Sequence, residues 1–250
     1  MTSDPPPIAE IPPVAAPVRD KVRIRFRKGP HLRLLSHHDL MRTFERMLRR
    51  ADLPFLRSQG FNPRPRLVFA LSLPLGVVGA EEVVELELAQ GLSVQEIEAR
   101  LTRQSPPGLE IVSVRRVDPK ASAQVRGLCY AVDVPAGRVD GLRARAGEVL
   151  ASAECGWDRT RPPKRRIDLR PWIRDLRVHE SDALSPHSYT LEMDLRLTPT
   201  GTARPEEVLG LLGLADLLDA GAVCTRTRLE LQDEPPPLTQ KVPDEKRNAD

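Results

Sequence analysis

Between Val22 and Arg27 apolar and basic residues alternate strictly, with Val22, Ile24 and Phe26 set against Arg23, Arg25 and Arg27. Successive side chains of a strand point to opposite faces, so this period of two predicts a strand with one face in a core and a row of cations on the other. A few residues on, the period changes. Leu40, Phe44, Met47 and Leu48 recur at helical spacing behind Ser36, and Asp39 stands three positions after that serine, a weak form of the capping box. Pro54 and the 60–65 stretch end the pattern. Strands are then expected over 67–71 and over 84–88, where Val84, Leu86 and Leu88 alternate with Glu85 and Glu87. A second helix is predicted over 94–103, capped by Ser93 with Glu96 at the capping-box position, and a strand over 109–117. The order is β-α-β-β-α-β.

The same order repeats with a weaker signal: strand 128–134, helix 139–150, strands 165–173 and 189–197, a helix opened by Pro205 through 211, and a strand over 223–231. The expected fold class is therefore α+β, as two tandem ferredoxin-like modules with antiparallel sheets, 21–120 and 121–232. No residue-level identity links the halves. Pro-rich or polar segments without periodicity, 1–20 and 233–250, read as flexible tails.

At 250 residues with 40% hydrophobic content the chain can bury a core. Its longest uncharged apolar run, 68–80, contains Pro74 and Gly76 and falls short of the roughly 20 residues a membrane helix needs. No basic, apolar leader precedes the first module, so the cytoplasm is the expected location and no membrane partner is expected. Cys129, Cys155 and Cys224 form no CxxC pair, which leaves no zinc or iron–sulfur motif; no metal and no cofactor are expected. Net charge is +3, but fourteen Lys and Arg against four Asp and Glu lie between Arg19 and Arg66. Such asymmetry points to a polyanionic partner.

Three segments could carry chemistry. The first is Ser36-His37-His38-Asp39, where His37, His38 and Asp39 are candidates for acid–base work. Adjacent helical residues point about 100° apart, so the two imidazoles do not easily share one ion, and capping or contact with an anion at the helix start are the other readings. The second is the rigid loop from Arg57 to Arg66. Arg57, Ser58, Gln59, Asn62 and Arg64 supply donors around one aromatic, Phe61, a mixture suited to phosphate contact and base stacking. It follows a helix whose Arg42, Arg46 and Arg49 fall in one sector opposite the apolar stripe. The third is Lys164, Arg165 and Arg166 ahead of Trp172, read either as RNA contact or as a solvated edge-strand charge run. Arg23, Arg25 and Arg27 are expected to face Glu85 and Glu87 in cross-strand pairs, which removes them from any binding footprint. Walker, GxGxxG, GxSxG and HExxH motifs are absent.

The pieces Leu35-Ser36-His37-His38-Asp39-Leu40, Arg49-Arg50-Ala51-Asp52-Leu53-Pro54, Ser58-Gln59-Gly60-Phe61-Asn62-Pro63 and Leu73-Pro74-Leu75-Gly76 resemble the radical SAM-linked family. In that family the domain occurs alone or on the C-terminal side of a B12-binding radical SAM protein. The chain departs from the usual pattern at His38, where a leucine is common, and at Arg64, where a histidine is. The resemblance implies partnership with a separately encoded radical SAM enzyme, B12-binding or other, and an RNA-related substrate. Three functional readings follow: a non-enzymatic accessory module that binds tRNA or rRNA or presents a substrate to that enzyme; an RNA-processing or RNA-modifying enzyme using His37 or His38; and a protein-interaction module that docks the radical SAM partner.

Overall fold

In the computed structural model, which describes residues 20–159, 164–181 and 188–234, the alternating segment forms β1 (Asp20–Lys28) and buries Val22, Ile24 and Phe26 completely. α1 (His37–Arg50) follows, with the Ser36 Oγ accepting from the Asp39 N–H as its N-cap. Leu40, Phe44, Met47 and Leu48 lie on its buried face. Next come β2 (Leu67–Phe69), β3 (Val78–Leu88), α2 (Val94–Gln104) and β4 (Leu109–Val117). The second part of the chain contributes β5 (Val125–Pro135), α3 (Val139–Ala151), β6 (Gly156–Arg159), β7 (Arg165–Asp168), β8 (Ile173–Glu180), β9 (Ser188–Arg196), α4 (Pro205–Leu211) and β10 (Cys224–Leu231).

The result is a mixed α/β architecture with four α-helices among the described residues and one large, mostly antiparallel sheet. Its order is β4-β1-β3-β10-β5-β9-β8, with β2 paired to β3 as the eighth strand. β6 and β7 form a separate hairpin. The strands from the first and second parts of the chain join in mid-sheet, where β10 meets β3 in parallel through Thr225 opposite Val78 and Arg226 opposite Gly79. On one side α1 and α2 pack on β1, β3 and β4 around Phe26, whose ring meets Phe44 edge-on with centroids 4.8 Å apart. A second apolar cluster gathers residues of α3 and α4 with β5, β8, β9 and β10. β3 serves both, since Val84 belongs to the first cluster and Val83 to the second.

The segment expected as one strand over 165–173 is divided. Asp168 Oδ1 accepts from the N–H groups of Cys155 at 2.7 Å and Arg170 at 3.0 Å, and Pro171, which has no N–H to give a ladder, sits in a 3-10 turn. β7 therefore pairs with β6, a strand the sequence pattern did not reveal, and β8 begins a new run beside β9. β3 starts six residues before the expected boundary, at Val78. Of the expected tails, 1–19 and 235–250 lie outside the described residues. Asp20 opens β1, and Asp233 and Glu234 accept from Arg23 Nη1 at 2.8 and 3.2 Å. Among the described residues no helix is long and apolar enough to cross a membrane.

Candidate nucleic-acid interface

α1 presents Arg42, Arg46, Arg49 and Arg50 on its exposed side, because its apolar stripe fixes the opposite face against β1. Arg42 lies 3.4 Å from Asp39 in an exposed pair, a geometry of little energetic weight. Arg46 donates to Thr43 Oγ1 at 3.2 Å. Among the described residues Arg46, Arg49 and Arg50 have no carboxylate partner. Arg49 and Arg50 occupy the last turn, where the helix dipole favours cations.

The loop after α1 is closed like a ring. Ser58 N–H donates to the Arg64 carbonyl at 2.7 Å, and Ser58 Oγ accepts from the Arg64 N–H at 3.1 Å. Ser58 thus shapes the loop. Gly60 has φ of 139° with open space around it, so the chain reverses where a side chain would strain it. Gln59, Phe61 and Asn62 project outward, and Phe61 is fully exposed at 108%. An exposed aromatic on a pinned loop lacks any packing role. Arg64 stands 4.0 Å from Glu45 of α1, and Arg57 lies over the Phe55 ring, 5.5 Å from its centroid. Arg49 and Arg57 share the wall of a concavity of about 350 Å³ between the helix end and the loop. The structure thus brings Arg49 and Arg57 together and sets Arg64 against α1, whereas Arg46 lines a separate groove with Arg50 and Arg103, and Gln59, Phe61 and Asn62 stand exposed on the loop.

The histidines behave differently from each other. His38 is exposed. His37 packs edge-on against Phe69 with centroids 5.1 Å apart, and its Nδ1 is buried without a hydrogen-bond partner. Burial, reinforced by the neighbouring His38 and Arg226, holds the His37 imidazole below its usual pKa. The Asp39 carboxylate accepts from Ser36 Oγ at 2.7 Å and from Arg42, and it hydrogen-bonds neither imidazole. Lys164, Arg165 and Arg166 are exposed on and just before β7, in the hairpin whose Trp157 and Ile167 pack on the second apolar cluster. Arg166 lies 3.5 Å from Asp158. The contacts of this hairpin lie with the second cluster, whereas α1 belongs to the first.

The strand cations are engaged, though not in the expected pattern. Arg23 and Lys21 both reach Glu85, at 2.7 Å each, and Arg23 is buried. Burial opposes its charge, but the hydrogen bonds it donates to Asp233 and Glu85 outweigh that and raise its pKa. Arg25 stands opposite Val83 in the register, so it pairs with Glu81 at 3.5 Å and with Glu234. Arg27 pairs with Glu110 of β4 at 2.9 Å, and Glu87 pairs with Arg66 at 3.0 Å.

Three groupings escaped the sequence. Arg226 makes a two-pronged pair with Glu82, both side chains being almost wholly buried, and Lys28 lies beside them donating to the carbonyls of Arg33 and Leu35 at 3.2 Å. Burial lowers the Lys28 pKa. Cys129, Asp194 and Glu230 bring possible metal ligands within 4.8 Å of one another. Their charge is already neutralised, since Arg174 Nη2 lies 2.5 Å from Asp194 and 2.9 Å from Glu230, while Arg228 approaches the Cys129 sulfur. Burial pushes that thiol up to about 11, so the protonated form, a poor ligand, prevails. The third grouping is Arg50 with Arg103 of α2, which share the rim of a groove beside α1. Arg50 in the last turn of α1, and Arg103 in the last turn of α2 ahead of Pro106-Pro107, were the available signal.

Among solved structures, the chain resembles a Cbf5-Nop10-Gar1 complex at 12% identity and a TM-score of 0.41, over 84% of this chain and 48% of that one. The chain thus spans about half the length of that relative. It also resembles an unknown protein from Galdieria sulphuraria, at 14% identity, a TM-score of 0.25 and coverage of 85% and 98%. A putative glycine cleavage system transcriptional repressor gives 11% identity, a TM-score of 0.24 and coverage of 85% and 97%. No curated protein matches. Residues 21–205, about three quarters of the chain, including α1, its loop and the 164–166 bases, match the family described as "Uncharacterized protein conserved in bacteria (DUF2344)", and the chain belongs to that family.

Proposed function

We propose that this protein is a non-enzymatic module that binds RNA and presents it to a separately encoded radical SAM enzyme. One observation carries the RNA part: cations sort by partner. The arginines of β1 are matched by carboxylates, whereas Arg46, Arg49 and Arg57 stand exposed and without one, and the loop that carries Arg57 also carries the fully exposed Phe61 ring. Exposed guanidinium groups without a carboxylate partner, on elements adjoining an exposed ring, suit phosphates and unstacked bases. The radical SAM partner rests on the sequence resemblance. Tandem ferredoxin-like modules belong to the same reading; its support is that β4-β1-β3-β2 and β10-β5-β9-β8 have the same strand order relative to their place in the chain.

The test is affinity for structured RNA measured across a salt series. A phosphate-binding surface loses affinity linearly on a log–log plot as counterions return. Phe61→Ala is expected to weaken binding by about 1–3 kcal/mol, the size of one lost base stack. Absence of binding at low salt overturns the proposal.

A further inference from the structure

We infer that the groove between α1 and the turn from α2 into β4 holds one nucleotide unit, its phosphate on an arginine rim and its base on an apolar floor. The inference rests on the RNA-binding reading for the polymer, and on the groove itself for the unit. Its volume is about 480 Å³, in the range of small-ligand sites. The floor is Leu32, Leu35, Pro106 and Pro107. The rim is Arg46, Arg50 and Arg103, and no acidic side chain lines the groove.

None of these three arginines has a carboxylate partner among the described residues. Arg103 reaches only the Ala99 carbonyl, at 3.3 Å. All three are exposed on the rim, whereas Arg174 and Arg159, half-buried elsewhere, are matched with acids. Three cations without an acid beside one apolar concavity complement an anion that carries an apolar body. Gln104, on the same lining, supplies an amide that can donate to and accept from a base edge. Arg50, Arg103 and Gln104 also line a second concavity of about 370 Å³, together with Arg100 and the acidic Asp52.

The experiment titrates the full chain with the four nucleoside monophosphates, the matching nucleosides, inorganic phosphate and a short single-stranded RNA, following the methyl resonances of Leu32, Leu35 and Met47. At least one monophosphate is expected to bind about tenfold or more tighter than phosphate or its nucleoside and to shift those methyls. The double variant Arg50→Ala/Arg103→Ala is expected to lose about tenfold or more of that affinity, while Lys120→Ala, which removes an exposed charge elsewhere, keeps it. Monophosphates binding no tighter than inorganic phosphate, or displaced by a polyglutamate peptide at equal charge, overturn the inference. RNA binding that persists unchanged in the double variant overturns it too and leaves the proposed function standing. Monophosphates that saturate the groove while RNA does not bind support the groove as a free-nucleotide site and overturn the RNA reading.

Discussion

Arg226 and Arg49 are the same residue type placed under opposite conditions. Arg226 is 1% exposed, gripped by Glu82 and donating to the Ser72 carbonyl at 3.2 Å. Arg49 lies on the surface of α1 without an acidic partner. Buried charge costs several kcal/mol to desolvate, so it persists only where geometry compensates it. Exposed charge costs almost nothing to keep and contributes almost nothing to the fold. The difference teaches that a count of cations says little about binding until each one is matched to its anion.

The strongest way to break this comparison is Arg226→Ala. It leaves Glu82 buried without its partner and is expected to cost about 3–5 kcal/mol in denaturant unfolding. Arg226→Met combined with Glu82→Leu is expected to recover most of that loss, because the pair then leaves no uncompensated charge. If the double variant is as unstable as the single one, the pair does more than neutralise itself.

Arg23→Ala comes next. Lys21 still reaches Glu85, so the expected loss is smaller, about 1–3 kcal/mol. RNA affinity is expected to stay as in the wild type, measured on the folded variant. On the other side, Arg46→Ala/Arg49→Ala is expected to flatten the salt slope of RNA binding by about two phosphate contacts. Its unfolding free energy should stay within about 0.5 kcal/mol of wild type. A reversal of these two patterns would place binding on the sheet face that carries Arg23.

The smallest effect concerns pH. Burial and neighbouring positive charge depress the His37 pKa below 6.5. Between that value and the lowered one, the unfolded chain binds more protons than the folded chain, so stability falls as pH drops through the window. Midpoints measured from pH 7 downward are expected to fall less steeply in His37→Gln. An identical slope in both proteins would show that His37 titrates freely.

Much of the first half was legible before any coordinates. The 22–27 alternation, the Ser36 cap and the α1 stripe are local signals: strand and helix periods and a side chain reaching three residues along the chain. α1 ends at Arg50, and α4 spans Pro205–Leu211 as its opening proline indicated. The candidate surface was legible for the same reason, since Arg42, Arg46 and Arg49 follow from one helical period and the loop follows directly. Where Asp168 and Pro171 contend with the strand pattern, the expected strand ran past the end of β7 to Ile173, and the rest of β8 went unforeseen.

By itself the sequence determined which faces are apolar, where α1 and α2 start, and which segment is rich in bases. Only the tertiary structure decided which bases stay unmatched. Glu82 and Arg226 are 144 residues apart, and they meet because β10 lies parallel to β3 beside Gly79. A Cβ on that glycine would come within 2.5 Å of the Glu82 side chain. Arg50 and Arg103 likewise share a groove only because two helices pack on one sheet. Periodicity depends on neighbours a few positions away, whereas charge compensation depends on distance through space, and that distance exists only once the strands have chosen their partners.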